Sequence, residues 1–338
     1  MSQQSQPSQL SQQPLTLRPV DVTTDLPSIN DIYNTAWLEP STLERVQEYE
    51  SRITPGRIRL YLAAVDAQGA LVGYTDTWHN PWMRDGEFQV EVIVATGARG
   101  QGIGSQLYDA ANRFTQQHDA TRRIVMLPAH DPASLAFAER RGFTIERHIF
   151  ESRLDLADFD ERPFIGALER ARADGVRFFS MADLGDSEEA QRRLHEVNRR
   201  ASLDTPGQHH TFAPFEEWRR FVCEASWYRA DGQIVAAVGD AEDPLALDWI
   251  GMAAVGYMAE TNSMYHMITG VDRPYRGRGL ATALKLLAIR CARRHNAVYL
   301  RTNNDSENAP MLAINRKLGF QPLPGYYIVA KEGDAQAH

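Results

Sequence analysis

Two stretches of the chain show the same succession of hydrophobic and polar positions. Each begins with a short apolar run that predicts a β-strand, at Val90–Val94 and again at Tyr265–Thr269. A polar turn rich in glycine follows, and the apolar residues after it recur every three or four positions, which predicts an amphipathic helix. These helices span about Ser105–His118 and Thr282–His295. The pattern therefore predicts a strand–turn–helix unit that occurs twice.

The two units are related by a constant offset of 177 residues, since Val94 recurs as Val271 and Arg99 as Arg276. An offset of this length exceeds a solenoid repeat and suits a whole domain. The sequence therefore predicts an internal duplication. Further identities in the same register are Gly100 and Gly277, Gly102 and Gly279, Leu107 and Leu284, His118 and His295, Ala120 and Ala297, and the Gly-Phe pairs at 142–143 and 319–320.

We divide the chain into a tail at residues 1–13, an N-terminal domain at 14–155, a linker helix at 156–174 and a C-terminal domain at 175–338. The tail is rich in Gln, Ser and Pro and has almost no apolar surface to bury, so we expect it to be disordered. The linker contains a predicted helix at Phe164–Arg172, which Asp174 and Gly175 end. Short strands are predicted to open the two domains, at Leu15–Pro19 and Val176–Ser180.

The turn between strand and helix is a candidate anion-binding site in each unit. The first backbone N–H groups of a helix have no intrahelical partner and lie at its positive end. Glycine lets the backbone approach a phosphate closely, and arginine can add charge-assisted hydrogen bonds. We therefore expect a di- or triphosphate ligand in each unit. The turns read Arg99-Gly100-Gln101-Gly102-Ile103-Gly104 and Arg276-Gly277-Arg278-Gly279-Leu280-Ala281.

Other interpretations of these turns fit less well. A nucleotide-hydrolysing P-loop needs a Lys-Ser/Thr pair after its last glycine, and neither turn has one. A dinucleotide-binding GxGxxG motif fits in part only, because the first turn reads GxGxG and the second reads GxG followed by Leu-Ala. A glycine-rich turn that binds no ligand remains an open alternative.

At these residues the chain resembles the GNAT superfamily of acyl-CoA-dependent N-acetyltransferases, whose pyrophosphate loop reads Arg/Gln-x-x-Gly-x-Gly/Ala. Both turns match this signature, and helices at 132–141 and 309–318 lead into Gly-Phe as the family's core does. The resemblance implies an α+β fold of two tandem domains, each a mixed, mostly antiparallel sheet flanked by helices. The arrangement would be similar to that of mycothiol-type synthases in the family.

The resemblance also implies that each unit binds acetyl-CoA or CoA. The strand before the loop would splay from its neighbour, and the pantetheine arm would insert there while the diphosphate lies on the loop amides. An Asn after the next strand often contacts the cofactor, and we select Asn308, whereas Asp131 occupies the corresponding position in the first unit. The implied contacts are Val92, Val94, Thr269 and Val271 for pantetheine, and Arg99, Gly100, Gln101, Gly102, Ile103, Gly104, Ser105, Arg276, Gly277, Arg278, Gly279, Leu280, Ala281 and Thr282 for the diphosphate.

Members of this family usually act by direct transfer, in which a base deprotonates the ammonium and the amine attacks the thioester. Glu91 lies within the first apolar strand, and because side chains alternate along a strand it faces opposite to Val92. We predict that Glu91 is the base, with an edge-strand charge facing solvent as the alternative. In the second unit Ile268 takes this position, and His266, two residues earlier on the same face, is the candidate. Glu260 is a further candidate.

A Tyr four residues before the Gly-Phe glycine often reprotonates the sulfur in this family. Here Ala138 and Asn315 occupy these positions, and neither can act as a phenolic acid. The resemblance therefore leaves the acid open between solvent and another tyrosine, such as Tyr326 or Tyr327.

Composition narrows the function further. A formal charge of −8 and two cysteines, Cys223 and Cys291, argue against nucleic-acid binding and against a disulfide framework. No apolar run is long enough to span a bilayer, and no metal site is predicted, because the His209-His210 pair has no third ligand nearby. We expect a cytoplasmic monomer or homodimer that uses acetyl-CoA to acetylate a small amine-bearing acceptor. The alternative is a non-catalytic or half-degenerate acyl-CoA sensor or scaffold.

Overall fold

The computed structural model describes residues 15–205 and 211–333, so the predicted tail and the His209-His210 pair lie outside it. The first half of the described chain contains six strands and four α-helices, in an order that begins and ends with a strand. These are β1 (Thr16–Pro19), α1 (Leu26–Ala36), α2 (Leu43–Ser51), β2 (Ile58–Val65), β3 (Leu71–His79), β4 (Glu87–Val94), α3 (Ile103–Gln117), β5 (Arg122–Pro128), α4 (Pro132–Glu139) and β6 (Thr144–Asp155).

The second half repeats this order after one additional helix, α5 (Arg162–Ala173), which lies within the segment predicted as a linker. It contains β7 (Arg177–Ser180), α6 (Glu188–Leu203), α7 (Phe215–Phe221), β8 (Gln233–Val238), β9 (Asp248–Met258), β10 (Ser263–Val271), α8 (Leu280–Arg294), β11 (Tyr299–Asp305), α9 (Ala309–Lys317) and β12 (Gln321–Glu332).

The predicted duplication is confirmed by the element bounds. The helices α3 and α8 begin and end 177 residues apart, and so do the strands β5 and β11 and the strands β6 and β12. The predicted strands were too short, since β4 begins at Glu87 and β10 runs from Ser263 to Val271. One register therefore relates the second part of both halves.

All twelve strands of the described chain form one sheet, in the order β1-β2-β3-β4-β5-β12-β6-β11-β10-β9-β8-β7. The pairs β4–β5 and β10–β11 are parallel, and the other pairs are antiparallel. The predicted α+β fold, with two halves that each contain a mixed, mostly antiparallel sheet and flanking helices, is confirmed.

The last strand of each half lies in the other half's part of the sheet. The strand β12, from the C-terminal half, pairs with β5 through Tyr326–Glu332, and β6, from the N-terminal half, pairs with β11 through Ile149–Asp155. The two exchanged strands also pair with each other. This exchange buries the sheet edges that would otherwise separate the halves, and it brings residues of β12 to the cleft of the N-terminal half.

Helices cover both faces of the sheet because their apolar residues recur at helical spacing. On one face α3 packs through Ile103 and Leu107 against Val92 and Val94 of β4. On the other face α1 packs against Ile93 of the same strand. Fully burying a leucine contributes on the order of 2 kcal/mol, so Leu107, with no exposed surface, anchors the start of α3. Among the described residues no helix has the length and apolar character that crossing a bilayer requires.

Candidate active site

The strands β4 and β5 pair over a short stretch and then separate. Their parallel register joins Glu87–Gln89 to Arg122–Ile124 and goes no further. The strands β10 and β11 behave in the same way, with Met264–His266 joined to Leu300–Thr302. Beyond these residues the facing backbone edges of each pair open into a wedge. Each wedge points toward the glycine-rich turn that follows the first strand of its pair.

The turns have the backbone geometry of an anion-binding loop. Gly102 and Gly279 have φ values of 82° and 83° and immediately precede α3 and α8, and Gly100 and Gly277 also have positive φ. A side chain is therefore strained at these positions. Within the described chain the N–H groups of residues 100–102 and 277–279 have no backbone acceptor outside their own helices. These amides and the first turn of the following helix are available to an anion.

The loop arginines hold the turns in place. The Nε–H of Arg99 donates to the carbonyl of Val94 at 3.2 Å, and the Nε–H of Arg276 donates to the carbonyl of Val271 at 2.8 Å. The remaining guanidinium nitrogens bind carboxylates, because Arg99 donates to Asp131 at 2.9 Å and Arg276 pairs with an aspartate of α6's C-terminal end. The sequence predicted that these arginines meet a phosphate, whereas in the structure they connect the loop to the strand.

The other residues expected to bind the cofactor lie around the two wedges. Ser105, in the first turn of α3, accepts a hydrogen bond from Arg141 at 2.8 Å, and the Arg141 guanidinium lies 3.4 Å from the Phe137 ring centroid. Asn308 begins α9, and its Oδ1 accepts a hydrogen bond from the N–H of Met311 at 3.3 Å. The first turns hold Ile103 and Gly104 in α3, and Leu280, Ala281 and Thr282 in α8.

Arg141 was missed by sequence reasoning. It directly precedes the Gly-Phe pair, and the duplicate position in the second half is Leu318, so the repeat contained no signal for it. Its guanidinium stacks on Phe137 beside the start of α3, where a diphosphate is expected. It can supply the positive charge that the two loop arginines use elsewhere.

Glu91 lies on the face of β4 that is turned toward α1. Its neighbour Ile93 packs on the same face, whereas Val92 and Val94 pack against α3, as strand alternation predicts. The hydroxyl of Tyr74 on β3 donates to Glu91 Oε1 at 2.9 Å. The carboxylate is half-buried and lies two residues beyond the last β4–β5 pair, so it stands at the mouth of the first wedge.

The surroundings of Glu91 favour its protonated form. Its pKa is raised to about 7, first because burial removes water from the carboxylate and second because Asp76 lies on the adjacent strand. Burial also raises the pKa of Asp76, and Arg59 opposes that rise through two hydrogen bonds of 2.7 Å. Arg59 binds Glu50 as well, again through two contacts of 2.7 Å. The guanidinium is thus shared between two carboxylates and neutralises Glu91 only weakly.

A cavity of about 300 Å³ lies in front of Glu91. One wall comes from β4 and the end of β5, and the opposite wall comes from the exchanged strands and β11. Arg301 crosses this second wall and binds Glu39 at 2.6 Å and also Glu151. The cavity therefore contains three carboxylates against one guanidinium, which gives it a negative character. Its lining also includes Trp37, Trp78, Gln89, Val90, Met126, Pro128, His130, Pro324 and Tyr326.

Tyr326 is the tyrosine that the strand exchange brings to this cavity. It pairs with Pro128 of β5, and its hydroxyl accepts a hydrogen bond from Asn303 at 3.2 Å. Burial raises its pKa, which keeps the phenol protonated. Tyr327, on the opposite side of the strand, instead packs beside His148 at a ring distance of 4.6 Å. Ala138 and Asn315, at the family's usual tyrosine positions, are both buried.

The wedge of the C-terminal half forms a larger cavity, of about 490 Å³. A β-bulge at Met267 interrupts the alternation of β10, so His266 and Ile268 do not share a face as predicted. Ile268 packs in the cluster around α6, whereas His266 is buried beside Lys285 of α8. Its Nε2 lies 2.5 Å from the hydroxyl of Thr269. Burial and the nearby ammonium hold the pKa of His266 well below its usual range.

One group of metal-binding residue types occurs away from both wedges. Asp231, Cys291 and His295 place their ligand atoms within 4.8 Å of one another. His295 lies 2.9 Å from the aspartate and the cysteine thiol lies 3.5 Å from it. Arg294 also contacts the carboxylate. Asp231 is thus satisfied by protein donors, and the group has no counterpart in the first half, where Phe114 corresponds to Cys291.

Relatives of known family share both halves of this chain. A mycothiol acetyltransferase of Nocardioides sp. (strain ATCC BAA-499 / JS614) is 28% identical over 284 residues, which cover 76% of this chain and 90% of the relative. A mycothiol acetyltransferase of Stackebrandtia nassauensis is 24% identical over 283 residues, which cover 84% of this chain and 85% of that protein.

Solved structures show the same fold. The tandem GNAT protein from the clavulanic acid biosynthesis pathway has a TM-score of 0.69 at 20% identity, covering 96% of this chain and all of that one. An N-acetyltransferase from Sphaerobacter thermophilus also has a TM-score of 0.69, at 18% identity, covering 94% of this chain and 95% of that one. The model of the acetyltransferase (GNAT) family matches the chain twice, at residues 26–143 and 192–320. The protein therefore belongs to the acetyltransferase (GNAT) family as a tandem member, and it is an N-acetyltransferase.

Proposed function

We propose that the enzyme transfers the acetyl group of acetyl-CoA to a small primary amine, and that the N-terminal half performs this reaction. The observation that carries the proposal is the position of Glu91. Its half-buried carboxylate stands at the mouth of the β4–β5 wedge, is held by Tyr74, and faces a negatively charged cavity. A base with a pKa of about 7 suits proton transfer at neutral pH.

Acetyl-CoA fits the wedges and their loops. The free amides of residues 100–102 and the first turn of α3 would hold the diphosphate, and the unpaired edge of β4 near Val92 and Val94 would bind the pantetheine amides. Residues 277–279 and the edge of β10 near Thr269 and Val271 offer the same groups in the second half. We propose that both halves bind the cofactor.

The acceptor amine would occupy the cavity in front of Glu91. A cationic amine is favoured there because Glu39, Glu91 and Glu151 outnumber Arg301. Glu91 accepts a proton from the ammonium, directly or through a water, and the free amine attacks the carbonyl carbon of the thioester. A C–N bond forms, the C–S bond breaks, and Tyr326 donates its phenolic proton to the departing sulfur.

The C-terminal half supports binding better than catalysis. Within the described residues its cavity contains one carboxylate, Asp305, which is buried and bonded to Arg147 at 2.5 Å. No carboxylate stands where Glu91 stands in the first half, since Ile268 takes that position. This observation favours a divided molecule, in which the second half binds an acyl-CoA without passing its acyl group to the acceptor.

Replacing Glu91 by Gln tests the proposal. We expect Glu91→Gln to lower kcat by about 100-fold to 10,000-fold, because a general base contributes a factor of this size. Acetyl-CoA affinity, measured by calorimetry, should stay unchanged because the carboxylate lies outside the loop. Glu161→Gln is the matched control, since its carboxylate pairs with Arg290 away from the cavity, and it should keep the wild-type rate.

The pH profile adds a readout that a structural role would not change. The wild-type rate should rise as the pH passes about 7 and then level off, because the deprotonated carboxylate is the active form. The groups that face Glu91 are Tyr33, Tyr61, Tyr74, Asp76 and Arg59. Because the Tyr74 hydroxyl lowers the pKa of Glu91, Tyr74→Phe should move the inflection to higher pH. An unaltered rate in Glu91→Gln would remove this residue from the mechanism.

A further inference from the structure

Lys285 is unusual in both composition and position. Of the 36 basic residues of the chain, three are lysines, namely Lys285, Lys317 and Lys331. Arginine stays charged in any protein environment, whereas lysine can lose its proton and become a nucleophile. Lys285 is 2% exposed, while Lys317 is exposed and Lys331 is partly exposed. The most deeply buried cation of this arginine-rich chain is thus one that can be deprotonated.

The amine of Lys285 lies in the C-terminal cavity without an anionic partner. Across residues 15–205 and 211–333 no carboxylate pairs with it, and its recorded contact is with the Phe320 ring, whose centroid is 5.5 Å from Nζ. The acid of this cavity, Asp305, is bonded to Arg147. Burial alone lowers the pKa of Lys285 to about 7, so a large fraction of the amine is neutral at physiological pH.

The duplicate position shows that packing does not require an amine here. Tyr108 corresponds to Lys285, and its ring packs at 6.0 Å from Phe143 and 6.4 Å from Phe137. The second half keeps the first aromatic partner as Phe320 but replaces the tyrosine by an aliphatic amine. A buried ammonium without a counter-ion destabilises a fold, so a structural role does not explain the lysine.

A proton acceptor lies beside the amine. His266 lines the same cavity, and its Nε2 is bonded to Thr269, whereas its Nδ1 is buried without a hydrogen-bond partner among the described residues. An orphaned buried ring nitrogen next to a buried amine is suited to receive the proton that an attacking amine releases. Both groups line the cavity at the wedge between β10 and β11.

We propose that Lys285 is an acylation site, at which the acyl-CoA bound in the C-terminal cleft modifies the chain itself. The inference rests on the proposed function, because it needs an acyl thioester in the second wedge. The neutral Nζ attacks the thioester carbonyl carbon, a C–N bond forms and the C–S bond breaks. His266 Nδ1 takes the proton of the amine and returns it to the departing sulfur, so the products are acyl-lysine and CoA with a free thiol.

The chain offers a direct test because it has three lysines. The full protein is incubated with acetyl-CoA near neutral pH, and acetylation of each lysine is followed over time by peptide mass spectrometry. We expect Lys285 to be acetylated at least about tenfold faster than Lys317 and Lys331, because each pKa unit changes the neutral fraction tenfold. Exposure alone predicts the opposite order. Replacing Gly279 by Val, which blocks the second loop, should abolish the modification, and Gly102→Val should leave it unchanged.

Two controls separate this inference from the proposed function. Lys285→Arg should fold, bind CoA by calorimetry and remain unmodified at position 285. If acetyl-CoA binds the C-terminal cleft of the wild-type chain and Lys285 stays unmodified, the acylation site is wrong while the proposed transferase stands. If Lys285 is acetylated but no free amine is acetylated by the enzyme, the acylation site stands and the proposed transferase is wrong.

Discussion

At the scale of single residues, Glu91 and Lys285 are both buried in surroundings that oppose their charge. Each faces a cavity, and each lies beside the wedge of its own half. Burial raises the pKa of the carboxyl group and lowers the pKa of the ammonium, and both converge on about 7. Clefts in which burial moves a pKa toward neutrality are typical of functional sites.

Glu91 should also make stability depend on pH. Its pKa is about 7 in the folded chain and near 4.5 in the unfolded chain, so between these values the folded chain holds a proton that the unfolded chain releases. The stability that this proton contributes is present below pH 4.5 and is lost as the pH rises through 7. Glu91→Gln should therefore be more stable than wild type at pH 8, by on the order of 2 kcal/mol, with little difference near pH 4.5.

Thermal or urea unfolding at the two pH values measures this difference. Glu161→Gln is again the control, because Arg290 lowers the pKa of Glu161 and the carboxylate is favoured in the folded chain. That variant should gain no stability at pH 8. A Glu91→Gln protein that is no more stable than wild type at pH 8 would contradict the burial of an unfavourable charge at this position.

The sequence pointed to Glu91 but not to its partners. A carboxylate within an apolar run is visible as an anomaly, whereas Tyr74 and Asp76 lie on β3, and their contact with Glu91 depends on a strand register that spacing does not encode. Lys285 was missed although a signal existed. It shares one face of α8 with Ala288, Ile289 and Ala292, all buried, so a charged residue stood in the core stripe of the helix.

At the scale of elements, the offset of 177 residues predicted more than the elements themselves. It places Gly102 and Gly279 at the same step before α3 and α8, with φ values that agree to within a degree. The bulge of β10 was not predictable, because β4 has no bulge and a copied register implies none. The bulge explains why the base predicted for the second half, His266, turned away from Ile268 and toward Lys285.

At the scale of the whole molecule, the exchange of β6 and β12 joins the two halves into one sheet. The sequence could not reveal it, because the connection from α4 to β6 and from α9 to β12 has the same length whether a strand pairs within its half or across halves. The consequence is functional, since Tyr326 of β12 reaches the cavity of Glu91 through this exchange.

The exchange also predicts that the halves unfold together. Because β12 lies between β5 and β6, loss of either half exposes strand edges in the other. Calorimetry should show one transition whose calorimetric and van't Hoff enthalpies agree. A chain that ends at Phe320 should unfold at lower temperature in both halves, while a chain that ends at Gly333 should match the wild type. Two separate transitions in the wild-type chain would contradict a shared sheet.

The division of labour between the halves is tested most directly by acetyl transfer in two loop variants. Gly102→Val and Gly279→Val place the same strained side chain in the corresponding loop of each half, and Gly69→Val does so in the β2–β3 turn, where φ is 83° and the space is open. The rate of acetyl transfer from acetyl-CoA to an amine should fall at least about 100-fold in Gly102→Val. It should stay near wild type in Gly279→Val and Gly69→Val. Loss of transfer in Gly279→Val with retention in Gly102→Val would contradict the assignment of catalysis to the N-terminal half.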